Sequence, residues 1–278
     1  MASIKAENLS HIYSAGTPFE KVALDSISVD IPQGLMIGLL GHTGSGKSTF
    51  IQHLNALMAP TSGRVLIDGQ DINESKKTRY DVKFQVGLVF QYPEYQLFEE
   101  TVYADIAFGP KNMGLEGDEL DKNVREAAAF AGVEDDLFEK SPLELSGGQK
   151  RRIAIAGVIA MKPSVLILDE PTAGLDPGGC DSLLDNLVKY KNATGSTVIV
   201  VTHNMDSIAA IADRLIVLSE GKLAMEGTPD EIFSDAKKLK ELSLDVPKAT
   251  EIAMKLGIKE AVYTHEQLIA AIRGMKNA

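Results

Sequence analysis

The stretch "GHTGSGKST" at 41–49 constrains the fold more than any other part of this 278-residue chain. It follows the apolar run "LMIGLL", precedes a helical pattern, and fits the spacing G-x-x-x-x-G-K-[ST]. Its glycines let the backbone curl so that N–H groups and the next helix's dipole converge on phosphate oxygens. We predict a phosphate-binding loop whose candidate ligands are Gly41, His42, Thr43, Gly44, Ser45, Gly46, Lys47, Ser48 and Thr49.

The run "VLILDE" at 165–170 contains the candidate acids for metal binding and hydrolysis. Lys47 supplies a positive charge for the β- and γ-phosphates, and the Ser48 hydroxyl is a candidate Mg²⁺ ligand. Asp169 ends a buried strand, where ligand sites form in open α/β sheets, and is predicted to hold the hydration shell of Mg²⁺. Glu170 is the candidate for polarising a water in line with the γ-phosphate. Without the loop at 41–49, Asp169 and Glu170 could equally well be solvated residues at a strand end.

The apolar runs predict an α/β fold with a mainly parallel core sheet. Several are apolar on consecutive residues, as in strands covered on both faces, and helical patterns separate many of them. "IKAENLS" and "ALDSISVDI" alternate more strongly and predict N-terminal antiparallel strands. The runs lie at 35–40, 64–68, 85–90, 165–169, 197–202 and 214–219, and the helical patterns at 47–58, 178–191 and 204–212.

A helical insertion and a helical tail complete the predicted organisation. Between about 100 and 163 we predict only helices, the first capped by Thr101 and the third starting near Ser146. We assign 1–237 to one large domain with this inserted subdomain, and 238–278 to a small C-terminal helical extension.

Composition narrows the function classes. The net charge of -11 argues against a nucleic-acid surface. The sequence has no apolar run near the roughly 20 residues of a membrane span and no signal-peptide pattern at its start, so we expect a cytosolic protein. The single cysteine, Cys180, excludes an internal disulfide or multi-cysteine metal site and reads as an ordinary semi-buried thiol.

The stretch "LSGGQ" at 145–149 predicts a second anion-binding helix terminus. Ser146 can cap the helix, and the N–H groups of Gly147 and Gly148 are unobstructed, with Gln149 following in the first turn. Two phosphate-binding helix termini in one chain are expected if each binds a different nucleotide.

With this stretch the sequence resembles the ATP-binding-cassette (ABC) ATPases over about residues 3–235. The resemblance implies that one subunit's "LSGGQ" closes on the ATP held by its partner's P-loop. Gln91 resembles the Q-loop glutamine, Asp176 in "AGLD" the D-loop aspartate, and His203 in "VVTHN" the switch histidine. Tyr13 is similar to the aromatic on which adenine stacks. A packing role for Tyr13 and a simple turn at Asp176 stay open, and His11 and His42 have no comparable support.

Longer phrases resemble the ATP-binding subunits of energy-coupling factor (ECF) transporters, most strongly their second, CbiO-like cassette type. The resemblance implies an Mg²⁺-dependent ATPase paired with a second ABC ATPase, a paralogue or an identical copy. It also implies a transmembrane coupling subunit that serves substrate-binding membrane subunits. The complex would take up vitamins, other micronutrients or transition-metal ions, and this chain would lie peripherally on the cytoplasmic face of the membrane. The extension is implied to help hold the ATPases together. A non-transport ABC ATPase acting on nucleic acid or ribosomes is the alternative, and a P-loop phosphotransferase a third.

The stretch "QYPEYQLFEETV" at 91–102 carries unusual aromatic surface for a loop. The resemblance implies that it lines the groove for the coupling subunit, with Gln91 at its ATP end. Tyr92, Tyr95, Leu97 and Phe98 would form the apolar floor, although packing inside the chain is the alternative for Leu97 and Phe98. Glu94, Glu99 and Glu100 would pair with basic groups on the incoming helix or form a plain solvated edge.

Overall fold

The computed structural model describes residues 3–258 and 260–276. The strands are Ile4–Tyr13 (β1), Lys21–Ile31 (β2), Met36–Leu40 (β3), Ser62–Ile67 (β4), Gln70–Asp71 (β5), Val86–Val89 (β6), Val165–Asp169 (β7), Thr197–Val201 (β8), Arg214–Ser219 (β9) and Lys222–Gly227 (β10). The α-helices are Lys47–Leu54 (α1), Lys76–Gln85 (α2), Val102–Asn112 (α3), Gly117–Ala131 (α4), Gly147–Ile159 (α5), Pro177–Thr194 (α6), Met205–Ile211 (α7), Pro229–Ser234 (α8), Ala236–Glu241 (α9), Lys248–Lys255 (α10) and His265–Lys276 (α11).

The core is a six-stranded sheet in the order β10-β9-β3-β8-β7-β6, parallel except for β10. Alternate residues of its strands enter two different hydrophobic cores: in β3, Met36 and Leu40 face one core and Ile37 and Leu39 the other. A strand buried on both faces needs apolar side chains at consecutive positions, which explains the unbroken apolar runs. The predicted α/β fold with a mainly parallel core is confirmed.

A second, four-stranded antiparallel sheet has the order β2-β1-β4-β5 and covers one of these cores. Its first two strands are those predicted from the N-terminal alternation. The prediction that the run at 64–68 belongs to the parallel core sheet is wrong, because β4 pairs antiparallel with β1. Val65 and Ile67 are buried, whereas Leu66 is only half-buried and Arg64 is exposed. This period of two fits a strand covered on one face.

The inserted segment between β6 and β7 is helical as predicted, with α3, α4 and α5 as its main elements. Thr101 caps α3 as expected, its hydroxyl oxygen accepting from the backbone N–H of Ala104 at 3.2 Å. The sequence did not predict α2, a helix in which only Val82 is buried and whose apolar periodicity is therefore weak.

The helix after the phosphate-binding loop is shorter than predicted, ending at Leu54 rather than near residue 58. Ala56 has a φ of +56°, a left-handed conformation that a continuing helix cannot contain. The side-chain amide of Asn55 donates to the carbonyl of Val86 and ties this turn to the start of β6. Tertiary contact therefore ends the helix before its apolar pattern does.

Four helices, α8 to α11, form the C-terminal part of the chain. Leu239 of α9 belongs to the large core, whereas Ala249, Val262 and Leu268 form a small separate cluster. The backbone N–H of Lys248 donates to Asp206 of α7 at 2.6 Å and holds the start of α10 against the core. Across residues 3–258 and 260–276, none of the helices combines the length and hydrophobicity of a membrane span.

Candidate functional site

The phosphate-binding loop lies between β3 and α1, where the sequence predicted it. Gly41 and Gly46 have φ of +150° and +102°, and a Cβ atom would lie 2.4 Å from the Leu218 carbonyl oxygen at Gly41 and 2.7 Å from that of Ala23 at Gly46. Only glycine fits at these two positions. The Ser45 side chain is fully buried, so any contact of Ser45 with a nucleotide would come from its backbone.

Lys47, Ser48 and Asp169 lie together at the mouth of this loop. Lys47 donates from Nζ to the carbonyls of Gly41 and His42 at 2.7 and 3.0 Å, which curls the side chain back over the loop. The Ser48 hydroxyl donates to Asp169 Oδ2 at 3.2 Å. Burial lowers the pKa of Lys47 and raises the pKa of Asp169, since each charge is partly removed from water.

Glu170 and His203 form a second polar pair at the same edge of the sheet. His203 Nδ1 lies 2.9 Å from Glu170 Oε1, and because a carboxylate accepts, the imidazole is the donor. Glu170 has a φ of +50°, and its backbone N–H donates to the Val201 carbonyl of the neighbouring strand. A non-glycine residue in this region is strained, which is common at functional sites and here re-aims the side chain just after β7.

Tyr13, at the end of β1, reaches the far side of the phosphate-binding loop. Its hydroxyl lies 3.1 Å from Thr49 Oγ1, and its ring meets His11 edge to face with centroids 4.6 Å apart. His11 Nδ1 lies 3.2 Å from Nε2 of the fully buried His53, whose Nδ1 lies 2.7 Å from the Thr49 carbonyl. No local pattern joins these two histidines to Tyr13, because they are 42 residues apart and lie on different elements.

The "LSGGQ" stretch forms the start of α5 as predicted. Ser146 and Gln149 make a reciprocal capping box, in which Ser146 Oγ accepts from the Gln149 N–H at 3.3 Å and Gln149 Oε1 from the Ser146 N–H at 3.0 Å. Gly147 has open space where a side chain would be. Asp176 caps α6 and lines, with Ser146 and Gln149, one surface cavity of about 400 Å³.

Arg151, which the sequence did not single out, joins three segments of the site. It is buried and pairs with both oxygens of Glu94, with Nη2 to Oε1 at 3.0 Å and Nε to Oε2 at 3.2 Å. Its Nη1 also donates to the carbonyls of Pro171, at 3.4 Å, and Ala173. Glu94 therefore already has a cation within its own chain, and the expectation that it pairs with an incoming helix is wrong.

Gln91 is exposed just beyond β6, and its side chain makes no hydrogen bond within the described part of the chain. Tyr95 is 85% exposed and Phe98 is 65% exposed, and Phe98 packs edge to face on the exposed Phe108 at 4.8 Å between centroids. Leu97 instead packs against the large core, as the alternative interpretation held. Phe108 was not predicted as part of this surface, because it lies in α3, beyond the stretch 91–102.

Two glycine-bearing helix termini, paired acids at strand ends and an inserted helical segment define a P-loop ATPase of the ABC class. A family model described as "ABC transporter" matches residues 24–173. The energy-coupling factor transporter ATP-binding protein EcfA2 of Caldanaerobacter subterraneus subsp. tengcongensis is 49% identical, with 99% of each chain covered. Its namesake in Streptococcus pyogenes is 50% identical over 91% of each chain.

Solved structures agree with this likeness. CbiO1 of Clostridium perfringens, described as part of the ABC transporter complex CbiONQ, has a TM-score of 0.77 and 39% identity over 90% of this chain and 98% of its own. A dimeric ATP-binding cassette, MJ0796, in a post-hydrolysis state with ADP and Pi has a TM-score of 0.73 and 29% identity, covering 81% of this chain and 98% of its own. The chain belongs to the energy-coupling factor transporter ATP-binding proteins of the ABC transporter family. The predicted fold and the predicted ATP-hydrolysing transport subunit are thereby confirmed.

Proposed function

We propose that this chain hydrolyses ATP at sites shared with a second ABC ATPase and so powers uptake of a vitamin, another micronutrient or a transition-metal ion. The observation that carries the proposal is the meeting of two polar pairs at one sheet edge, Ser48 with Asp169 and Glu170 with His203. The sandwiched ATP would lie between this edge in one subunit and Ser146 to Gln149 of the other. Asp176, exposed beside that signature, fits a contact across the same interface.

Glu170 is the proposed general base. Its carboxylate would take a proton from the attacking water as the water oxygen bonds to the γ-phosphorus, while the bond to the β-phosphate oxygen breaks and ADP leaves. His203 holds the carboxylate in place through its Nδ1–H, and Lys47 offsets charge on the phosphates. Gln91, free of hydrogen bonds within the described chain, is positioned at the end of β6 to reach the water or the metal.

Ser48, Asp169 and Gln91 are the proposed Mg²⁺ ligands, directly or through water. The fit rests on donor chemistry: hydroxyl, carboxylate and amide oxygens are hard ligands, and Ser48 and Asp169 already converge. Among the described residues, no cluster of three or more histidine, cysteine, aspartate or glutamate side chains could hold a metal alone. The remaining ligands would then be phosphate oxygens and water, with the ion neutralising charge on the β- and γ-phosphates.

Tyr13 is the proposed adenine platform, supported by its place beside Thr49 and by a half-exposed ring. The surface formed by Tyr92, Tyr95, Phe98 and Phe108, which we call the aromatic surface, is the proposed docking site for the transmembrane coupling subunit. Substrate-binding membrane subunits would act through that subunit, and the chain would lie peripherally on the cytoplasmic face of the membrane without binding nucleic acid. The domain boundary at 237/238 and the pairing role of the C-terminal extension also remain predictions.

Replacing the proposed base tests the hydrolytic assignment. Glu170→Gln should lower ATP turnover by about 10²-fold or more, because the amide cannot accept the proton, while ATP binding is retained and the closed pair persists. The exposed Glu74→Gln serves as the matched control and should leave turnover unchanged. Turnover of Glu170→Gln equal to that of the unmodified chain would remove Glu170 from this role.

A further inference from the structure

A cavity of about 640 Å³ lies between the inserted helices and the core, away from every residue assigned above. Its walls come from α4 and α5 on one side and from α6 on the other. Pro163, Ser164 and Ser196 close it at the amino ends of β7 and β8. Asp169 and Glu170 lie at the carboxyl end of β7, roughly 15 Å away along a five-residue strand. The cavity therefore lies at the opposite edge of the sheet from the nucleotide site.

The walls of this cavity are aromatic and aliphatic. Phe130 of α4 and Tyr190 of α6 pack edge to face in its wall, with centroids 5.4 Å apart, and Ile159 and Ala127 add aliphatic surface. The volume falls within the roughly 300–1,000 Å³ of small-molecule sites, which are mostly apolar with a few placed polar groups. A flat ring system would contact the insertion and the core at once.

Most polar groups of the wall are already satisfied by the chain itself. Tyr190 Oη and Ser196 Oγ donate to the Pro163 carbonyl at 3.4 and 2.9 Å, and Ser164 Oγ donates to the Gln85 carbonyl at 3.1 Å. At the mouth, Lys162 pairs with Glu126 at 2.8 Å, so the two charges cancel. These contacts leave neither a free hydroxyl nor a net charge for an ionic ligand.

Asn123 is the exception. It is 6% exposed, lines the cavity from α4, and makes no side-chain hydrogen bond within residues 3–258 and 260–276. Its amide atoms are not sealed from solvent, so the amide is open to the cavity and can pair with a molecule that enters it. An amide offers one donor and one acceptor side by side, which matches the adjacent N–H and C=O of a cyclic amide.

We propose that this cavity binds an uncharged, planar, ring-containing molecule that carries a lactam edge, with Asn123 pairing to that edge and Phe130 and Tyr190 holding the ring. The bound molecule would link α4 of the insertion to α6 of the core. The site is separate from ATP hydrolysis and independent of the function proposed above.

The test uses 6(5H)-phenanthridinone, a neutral tricyclic lactam, as the probe, with its N-methyl derivative as the ligand lacking the donor. The chain has no tryptophan, so the probe's own fluorescence can be titrated with the full-length protein. We expect saturable binding of the lactam and at least about tenfold weaker binding of the N-methyl derivative. A ligand without the N–H leaves the polar group of the site unpaired and therefore binds more weakly.

Two variants locate the binding. Asn123→Leu should weaken the lactam about tenfold or more and leave the N-methyl derivative nearly unchanged, and Ala127→Phe should fill the cavity and abolish both. The exposed Glu119→Gln on the same helix is the matched control and should bind like the unmodified chain. Unchanged ATP binding shows that each variant is folded. No saturable binding of the lactam, or equal affinity in Asn123→Leu, would overturn the proposal.

Discussion

Glu170 shows how one backbone conformation defines the role of a residue. Its left-handed φ of +50° turns the side chain out of the strand direction of β7, and the hydrogen bond from its N–H to the Val201 carbonyl holds that turn. The carboxylate then meets His203, which follows the neighbouring strand β8. Parallel strands bring their carboxyl ends to one edge, so residues 33 positions apart become one hydrogen-bonded pair.

His53 is predicted to make stability depend on pH. Burial lowers its pKa, so the folded protein keeps the imidazole neutral while the unfolded chain takes up a proton near about pH 6.5. His53→Gln should cost about 1 kcal/mol of unfolding free energy at pH 7.5 through lost hydrogen bonds. As the pH falls to about 5, the unmodified chain alone loses stability by this protonation, so the difference between the two proteins should narrow.

Urea unfolding at a series of pH values measures this difference. The exposed His265→Gln is the control and should leave the unfolding free energy at pH 7.5 nearly unchanged. A gap for His53→Gln that widens on acidification would contradict a neutral, buried His53.

At the scale of elements, Arg151 connects the turn after β6, the signature helix α5 and the turn after β7. Both groups of the ion pair with Glu94 are largely buried, at 5% and 16% exposed side chain. Removal of one partner leaves an uncompensated buried charge, so Arg151→Met and Glu94→Gln should each lower the unfolding free energy by about 3 kcal/mol. The double variant should lose clearly less than the sum of the two.

The exposed pair Arg125 with Asp121 on α4 is the matched control for that cycle. Arg125→Met should leave the unfolding free energy nearly unchanged, because solvent already screens this pair. Strictly additive losses for Arg151 and Glu94 would show that the contact carries no coupling.

The aromatic surface is predicted to act in assembly rather than in ATP binding. Asp105 Oδ1 accepts from the backbone N–H groups of Phe98 and Glu99 at 3.2 and 3.3 Å and holds this loop in place. The double variant Tyr95→Ala, Phe98→Ala removes exposed aromatic area while this anchor stays. It should lower the yield of complex with the transmembrane coupling subunit, measured by co-purification. ATP affinity should stay within about twofold.

Tyr80→Ala on α2 is the control for this pair of substitutions, since Tyr80 is also exposed but lies outside the aromatic surface. It should leave the complex yield unchanged. Equal losses of complex and of ATP affinity in the double variant would instead indicate that Tyr95 and Phe98 stabilise the cassette itself.

At the scale of the whole molecule, sequence reasoning succeeded where the determining residues are close together in the chain. The phosphate-binding loop, the Ser146 cap and the doubly buried strands each depend on a few neighbouring residues, and all were predicted. Contacts between distant segments were missed: Arg151 with Glu94 is separated by 57 residues, and β4 joined the other sheet through pairing with β1. Local patterns do not contain the partner of such a contact, so neither could be predicted.

The central claim is that the chain contributes two different halves to two shared ATP sites. Within the described chain, no hydrogen bond joins the P-loop to Ser146, and the cavity at Ser146 contains no P-loop residue. This separation fits our proposal that the signature serves another subunit's nucleotide, as in a cassette that works as a pair.

The most direct test uses the purified ATPase pair with Lys47→Ala in this chain, so that single-turnover hydrolysis reports the partner's P-loop alone. Ser146→Arg is then added to the same chain, with Lys150→Ala in its place as the control. We predict that Ser146→Arg abolishes the remaining hydrolysis and retention of labelled ATP, whereas the control preserves both. Undiminished hydrolysis in the Lys47→Ala, Ser146→Arg chain would contradict the shared site.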